Sequence, residues 1–91
     1  MKKKKLIQIT TESLIKKYPL CSSCGREEWL TLDHIVPVQI LKEMGLTDEE
    51  LYTDESILKI LCRPCNALKK NHLDFSDPRT KIILMRFLER L

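Results

Sequence analysis

At 91 residues the chain is one domain at most, and with 43% apolar and only 5% aromatic residues its core is thin. Sixteen basic against thirteen acidic side chains leave a net charge of +3, an excess that the lysines at 2–5 supply by themselves; it is compatible with a nucleic-acid partner without requiring one. No stretch approaches the roughly 18 apolar residues of a membrane span, and the apolar run after the lysines stops at Gln8, short of the roughly 7 residues of a signal core. The chain therefore reads as a soluble, cytoplasmic protein with reduced cysteines and no membrane partner.

The basic residues at the start read as a solvated, flexible tail over 1–9. Thr10 or Thr11 is placed to cap a short helix with Leu14, Ile15 and Tyr18 on one face, ended by Pro19. Cys21, Cys24 and Gly25 follow, the glycine permitting the tight turn of a metal-binding knuckle. Residues 28–34 mix aromatic and β-branched side chains and predict a strand that ends at His34, with Trp29 in the core or free to stack on a base.

Residues 38–56 have helical character. Val38, Ile40 and Leu41 share a side, Gly45 stops the helix, and Thr47 to Glu50 form a capping box for another turn. Residues 57–61 predict a second strand leading into Cys62, and Asn66 to Lys70 predict a helix beyond the second knuckle. Ser76 or Asp77 caps a last helix over 77–91, with Pro78 at its first position and Leu84, Phe87, Leu88 and Leu91 toward the core.

Cys21, Cys24, Cys62 and Cys65 make two Cys-x-x-Cys pairs, a spacing that suits Zn²⁺, which favours four thiolates in a tetrahedron. The knuckles are separated by residues 25–61, far more chain than the roughly 15–20 residues inside a compact zinc ribbon. Zinc would therefore clamp an independent piece of structure. A closed four-sulfur site has no open coordination position, which makes it structural.

Chemistry beyond that site rests on Asp33-His34-Ile35-Val36-Pro37 and on Leu61-Cys62-Arg63-Pro64-Cys65-Asn66 with Lys69 and Lys70 after it. A neutral His suits removal of a proton from water, and an Asp with an Asn carbonyl suits a hard divalent cation such as Mg²⁺. Alone, Asp beside His is a weak signal. Bracketed by two knuckles, it gains weight.

With these motifs the chain resembles the HNH endonucleases from Cys21 to about Lys70, over half its length. The resemblance implies an α+β fold, a small ββα-metal (His-Me finger) core with a four-cysteine zinc site, flanked by N- and C-terminal helices. It implies a metal-dependent enzyme that hydrolyses DNA phosphodiester bonds, with His34 as the general base. Asp33 and Asn66 would hold one divalent ion (Mg²⁺, Mn²⁺ or Ni²⁺), Asn66 standing where the family has its final His. Arg63, Lys69 and Lys70 become candidates for phosphate contact, Lys69 because the family carries a basic residue there. Small family members also imply a phage packaging or restriction partner.

Two departures stand out. The family's middle Asn falls at Ile57, with Asp54, Glu55 and Ser56 nearby as substitutes, and the family's Gly-Gly loop is replaced by residues 38–53. His72 reads as a surface residue near a helix end rather than a ligand. The lysine run has an alternative reading as an arm that grips DNA. The alternative for the whole chain is a catalytically inactive, zinc-stabilised nucleic-acid-binding module.

Overall fold

The computed structural model describes residues 3–69 and 72–90, the side chains at 87 and 90 excepted. Its architecture is α+β: a two-stranded antiparallel sheet with helices packed around it. Helix α1 (Lys3–Lys17) comes first, then β1 (Leu30–His34), α2 (Val38–Glu43), α3 (Asp48–Thr53), a 3₁₀ turn at Glu55–Ile57, β2 (Leu58–Cys62), α4 (Arg63–Lys69) and α5 (Pro78–Arg90). Among the described residues no helix is long and apolar enough to cross a membrane.

Helix α1 corrects the expected start at Thr10 or Thr11, since residues 3–9 are helical rather than tail. The threonines do not cap. Thr11 Oγ1 donates back to Ile7 O at 2.6 Å, and Thr10 Oγ1 donates across to Tyr52 O in α3. Ile7, Thr10, Thr11 and Leu14 recur at helical spacing, so two hydroxyls sit on the stripe that faces the protein and hide its periodicity. Leu14 is fully buried there, which stabilises the docking by roughly 1.5–3 kcal/mol. Pro19 stops the helix by barring helical backbone at Tyr18.

The strands pair with Leu30 opposite Cys62 and His34 opposite Leu58, so the hairpin has a cysteine end and a histidine end. One sheet face carries Leu30, Leu32, Leu58 and Ile60 into the main core, where Leu14, Ile35, Leu41, Leu51 and Ile83 meet them. The other face carries Thr31 and Asp33 toward α4. β1 begins two residues later than the sequence predicts. Trp29 has a left-handed backbone (φ 55°), and its carbonyl accepts the N–H of Arg63 at 2.8 Å. Trp29 is also not core: 60% of it is exposed, with the Arg26 guanidinium 5.0 Å from its ring centroid. β2 is likewise shifted by one residue, because Asp54 accepts the Ser56 N–H at 3.0 Å and winds residues 55–57 into the 3₁₀ turn.

The long connection between the strands folds as its local signals ask. Gly45 (φ 90°) ends α2, its N–H donating to Lys42 O at 2.9 Å. Thr47 and Glu50 form the reciprocal capping box of α3. Ile35 N–H donates to Ile57 O at 2.9 Å and extends the pairing past the strand ends.

At the C-terminal helix Asp77 is the cap, accepting the Arg79 N–H at 2.9 Å. The core-facing side differs from the expected one. Thr80 and Ile83 are fully buried and Leu84 partly so, whereas Leu88 is 65% exposed. Thr80 Oγ1 donates to Asp74 O at 2.6 Å, which sets the rotation of the helix. The Phe87 side chain and Leu91, also expected on that face, lie outside the described residues.

Candidate metal centre and the neighbouring cleft

The two knuckles meet at the cysteine end of the hairpin. Gly25 (φ 79°) donates its N–H to Cys21 O at 2.9 Å and closes the first turn, and Ser22 N–H donates to Ile60 O at 3.0 Å, pinning that turn to β2. Cys62 ends β2 and Cys65 lies one turn into α4. The four Sγ atoms lie within 4.8 Å of one another, and those of Cys24 and Cys62 are 3.6 Å apart. Zn–S bonds of about 2.3 Å in a tetrahedron place sulfurs about 3.8 Å apart. The quartet fits that geometry, all four thiols are free of disulfides, and together they can hold a zinc ion.

The electrostatics suit a cation. Burial pushes the Cys21 thiol up, but the backbone N–H groups of Cys24, Cys62 and Ser23 outweigh it and bring it down to about 6. Cys65 goes the other way, raised to about 12 because Cys62 and Cys24 share its hydrogen bonds and burial adds to them. Four sulfurs this close cannot all be anionic without a positive charge among them.

A cleft of about 380 Å³ opens at the other end of the strands, lined among others by Asp33, His34, Pro37, Gln39, Asn66 and Lys69. Adjacent on β1, Asp33 and His34 project to opposite sheet faces, yet both border this one space. His34 Nε2 lies 2.7 Å from Leu51 O, and its ring meets Tyr52 edge to face at 5.2 Å. A carbonyl only accepts, so Nε2 carries a proton. In the neutral ring that leaves Nδ1 as the lone-pair nitrogen. Burial lowers the His34 pKa below its usual value, with the Lys69 and Lys3 charges adding to it and the Leu51 carbonyl and Asp33 opposing.

Asp33 is only 7% exposed, and its Oδ2 accepts no hydrogen bond among the described residues. Lys69 Nζ lies 2.8 Å from that oxygen, an ion contact off the line of a hydrogen bond, while it donates to His34 O at 2.5 Å. Lys69 is thus turned inward, not outward as a free phosphate contact. Asn66 Nδ2 donates to Thr31 Oγ1 at 2.9 Å, and Thr31 Oγ1 donates to Leu61 O at 2.7 Å, which ties α4 to the sheet.

Comparisons with family models, with curated proteins and with solved structures find no match.

Of the remaining predicted residues, Arg63 has an exposed side chain at the start of α4, and Lys70 lies outside the described residues. His72 is exposed just past α4, its N–H donating to Lys69 O at 3.1 Å. Ile57, at the place of the middle Asn, is buried, and the turn beside it is held by Asp54 and Ser56. Leu51, Tyr52 and Thr31 were not foreseen. Any residue has a carbonyl, so Leu51 carries no signal, whereas Thr31 stood two residues before Asp33 on the same strand face.

Proposed function

We propose that the chain is a metal-dependent DNA endonuclease of the HNH kind, with the cleft as its active site and the cysteine quartet as a structural zinc clamp. The order of β1, connection, β2 and α4 supports a ββα-metal reading of the fold. A place in phage packaging or restriction, in the cytoplasm, goes with this reading.

The observation that carries it is the state of His34: Nε2 is spent on the Leu51 carbonyl, which leaves Nδ1 as the lone-pair nitrogen of a ring kept neutral by burial. That is what a general base for water requires, a fixed ring with a lone pair at neutral pH. Nδ1 takes the proton as the water oxygen attacks phosphorus and the bond to the leaving sugar oxygen breaks. Asp33 Oδ2, buried without a hydrogen bond, and the Asn66 amide carbonyl are the oxygens that would hold a divalent ion. Such an ion supplies positive charge for the phosphate and the leaving oxygen. Tyr52 and Leu51 keep the imidazole from turning.

Supercoiled plasmid with Mg²⁺, Mn²⁺ or Ni²⁺ tests the reading. The parent should nick it and EDTA should stop the reaction. His34→Ala should lower the rate by about 10²–10⁴-fold, the range for a positioned base, with helicity and zinc content unchanged. A His34→Ala protein as fast as the parent sinks the proposal.

The second reading, a nucleic-acid-binding module without activity, is favoured by one feature. The Lys69 ammonium already neutralises the carboxylate that a divalent ion needs. Retarded DNA with no cleavage under any of the three metals would select it.

A further inference from the structure

We infer that Lys3, Lys4 and Lys5, in the first turn of α1, form a cationic cluster, joined to His34 through Tyr52, that grips the phosphate backbone of a DNA duplex. The inference rests on the nuclease reading and extends it to how the duplex is held.

Three observations carry it. Because α1 begins at Lys3, these lysines stand on a helix docked to the protein and do not trail in a tail. The helix is registered on α3 by the Thr10 bond to Tyr52 O, and two turns before Thr10 the Lys3 ammonium lies 5.1 Å from the Tyr52 ring centroid. That same ring meets His34 edge to face at 5.2 Å. Lys3 is therefore one aromatic ring away from the proposed base.

The second strand of the argument is charge. Lys17, Lys59 and Lys69 are each paired with an acid, Glu55, Asp77 and Asp33 respectively. Lys3, Lys4 and Lys5 are exposed, and none of them forms a salt bridge among the described residues. They also crowd the positive end of the helix dipole, with no acid in the first turn to offset them. Three unneutralised cations in a place unfavourable to the free helix are what a polyanion would compensate. A phosphate backbone is the polyanion whose hydrolysis the neighbouring His34 would serve.

Binding is best read in the His34→Ala background, so that a short mixed-sequence DNA duplex survives the titration. Each phosphate neutralised contributes about 0.9 to the slope of log K against log salt, so Lys3→Gln/Lys4→Gln/Lys5→Gln should flatten it by about 2–3. The Lys→Arg triple variant should restore the slope. Lys16→Gln, about 20 Å along the same helix, should change it by less than about 0.5. If the glutamine triple variant loses helicity, Lys3→Gln alone should still flatten the slope by about 1. An unchanged slope in a folded glutamine variant overturns the role of the cluster, as does an equal loss from Lys16→Gln. Failure of the His34→Ala chain to retain any duplex overturns the nuclease reading itself, and the cluster's role with it.

Discussion

The hairpin joins two sites of unlike construction. At the Leu30–Cys62 end, four sulfurs are gathered by two tight turns, each made from residues a few positions apart. At the His34–Leu58 end, the groups come from far along the chain: Leu51 lies 17 positions from His34, and Lys69 and Asn66 lie 35 from their partners on β1. Local turn geometry makes each half of the sulfur site, and only the strand pairing is needed to bring the halves together. The cleft exists only when β1, α2 and α4 are all docked, and α3 fixes its imidazole through the Leu51 carbonyl. One hairpin therefore carries a four-cysteine cluster that can hold zinc and, at its other end, a cleft built from distant elements.

The largest expected effect breaks the clamp. Cys62→Ala removes one thiolate from a site type with apparent binding energies of order 10–16 kcal/mol, and should unfold the domain. Far-ultraviolet circular dichroism and metal analysis read the loss. A folded, metal-free variant would show that the hairpin stands without its sulfur end.

The cleft end should respond less. Lys69→Met leaves the Asp33 carboxylate buried without its cation, a change that costs about 3–5 kcal/mol in comparable buried pairs. Urea unfolding measures it, and Asp33→Asn added to Lys69→Met should recover part of the loss. If the double variant is no more stable than Lys69→Met, the pair is not coupled as drawn.

The smallest effect is a slope with pH. Burial holds the His34 pKa below its ordinary 6.5, so below that pH the unfolded chain takes up a proton before the folded one does. Stability should fall as pH drops from 6.5 toward the folded value and level off beneath it, and above 6.5 His34 should contribute no slope. The melting temperature followed against pH checks this, and His34→Gln should lose that contribution.

What could be read from the chain beforehand follows the same division. The cysteine spacing, the capping box at Thr47 and Glu50, the stop at Gly45 and the cap at Asp77 are all local, and each appears where its residues stand. The start of α1 is not legible in the sequence because Thr10 and Thr11 occupy the inward stripe where apolar residues would announce a helix. Of the two readings of Trp29, the core one fails because the strand starts after it and turns the indole out. The inward side of α5 is not legible from its leucines because a hydroxyl, Thr80, sets its rotation.

Residue spacing by itself determined the two cysteine knuckles and the turns around them, since the geometry of a short turn is contained in the residues that make it, while pairing of β1 with β2 brings the two knuckles together. The family resemblance, not spacing, named Asp33, His34 and Asn66, which β1 and α4 bring to the lining of one cleft. Only the tertiary structure decided that the Leu51 carbonyl holds the imidazole, that Lys69 turns onto Asp33 and that Lys3 lies over Tyr52. Those contacts join residues that no local pattern links, and they follow from how α1, α3 and α4 pack against the sheet.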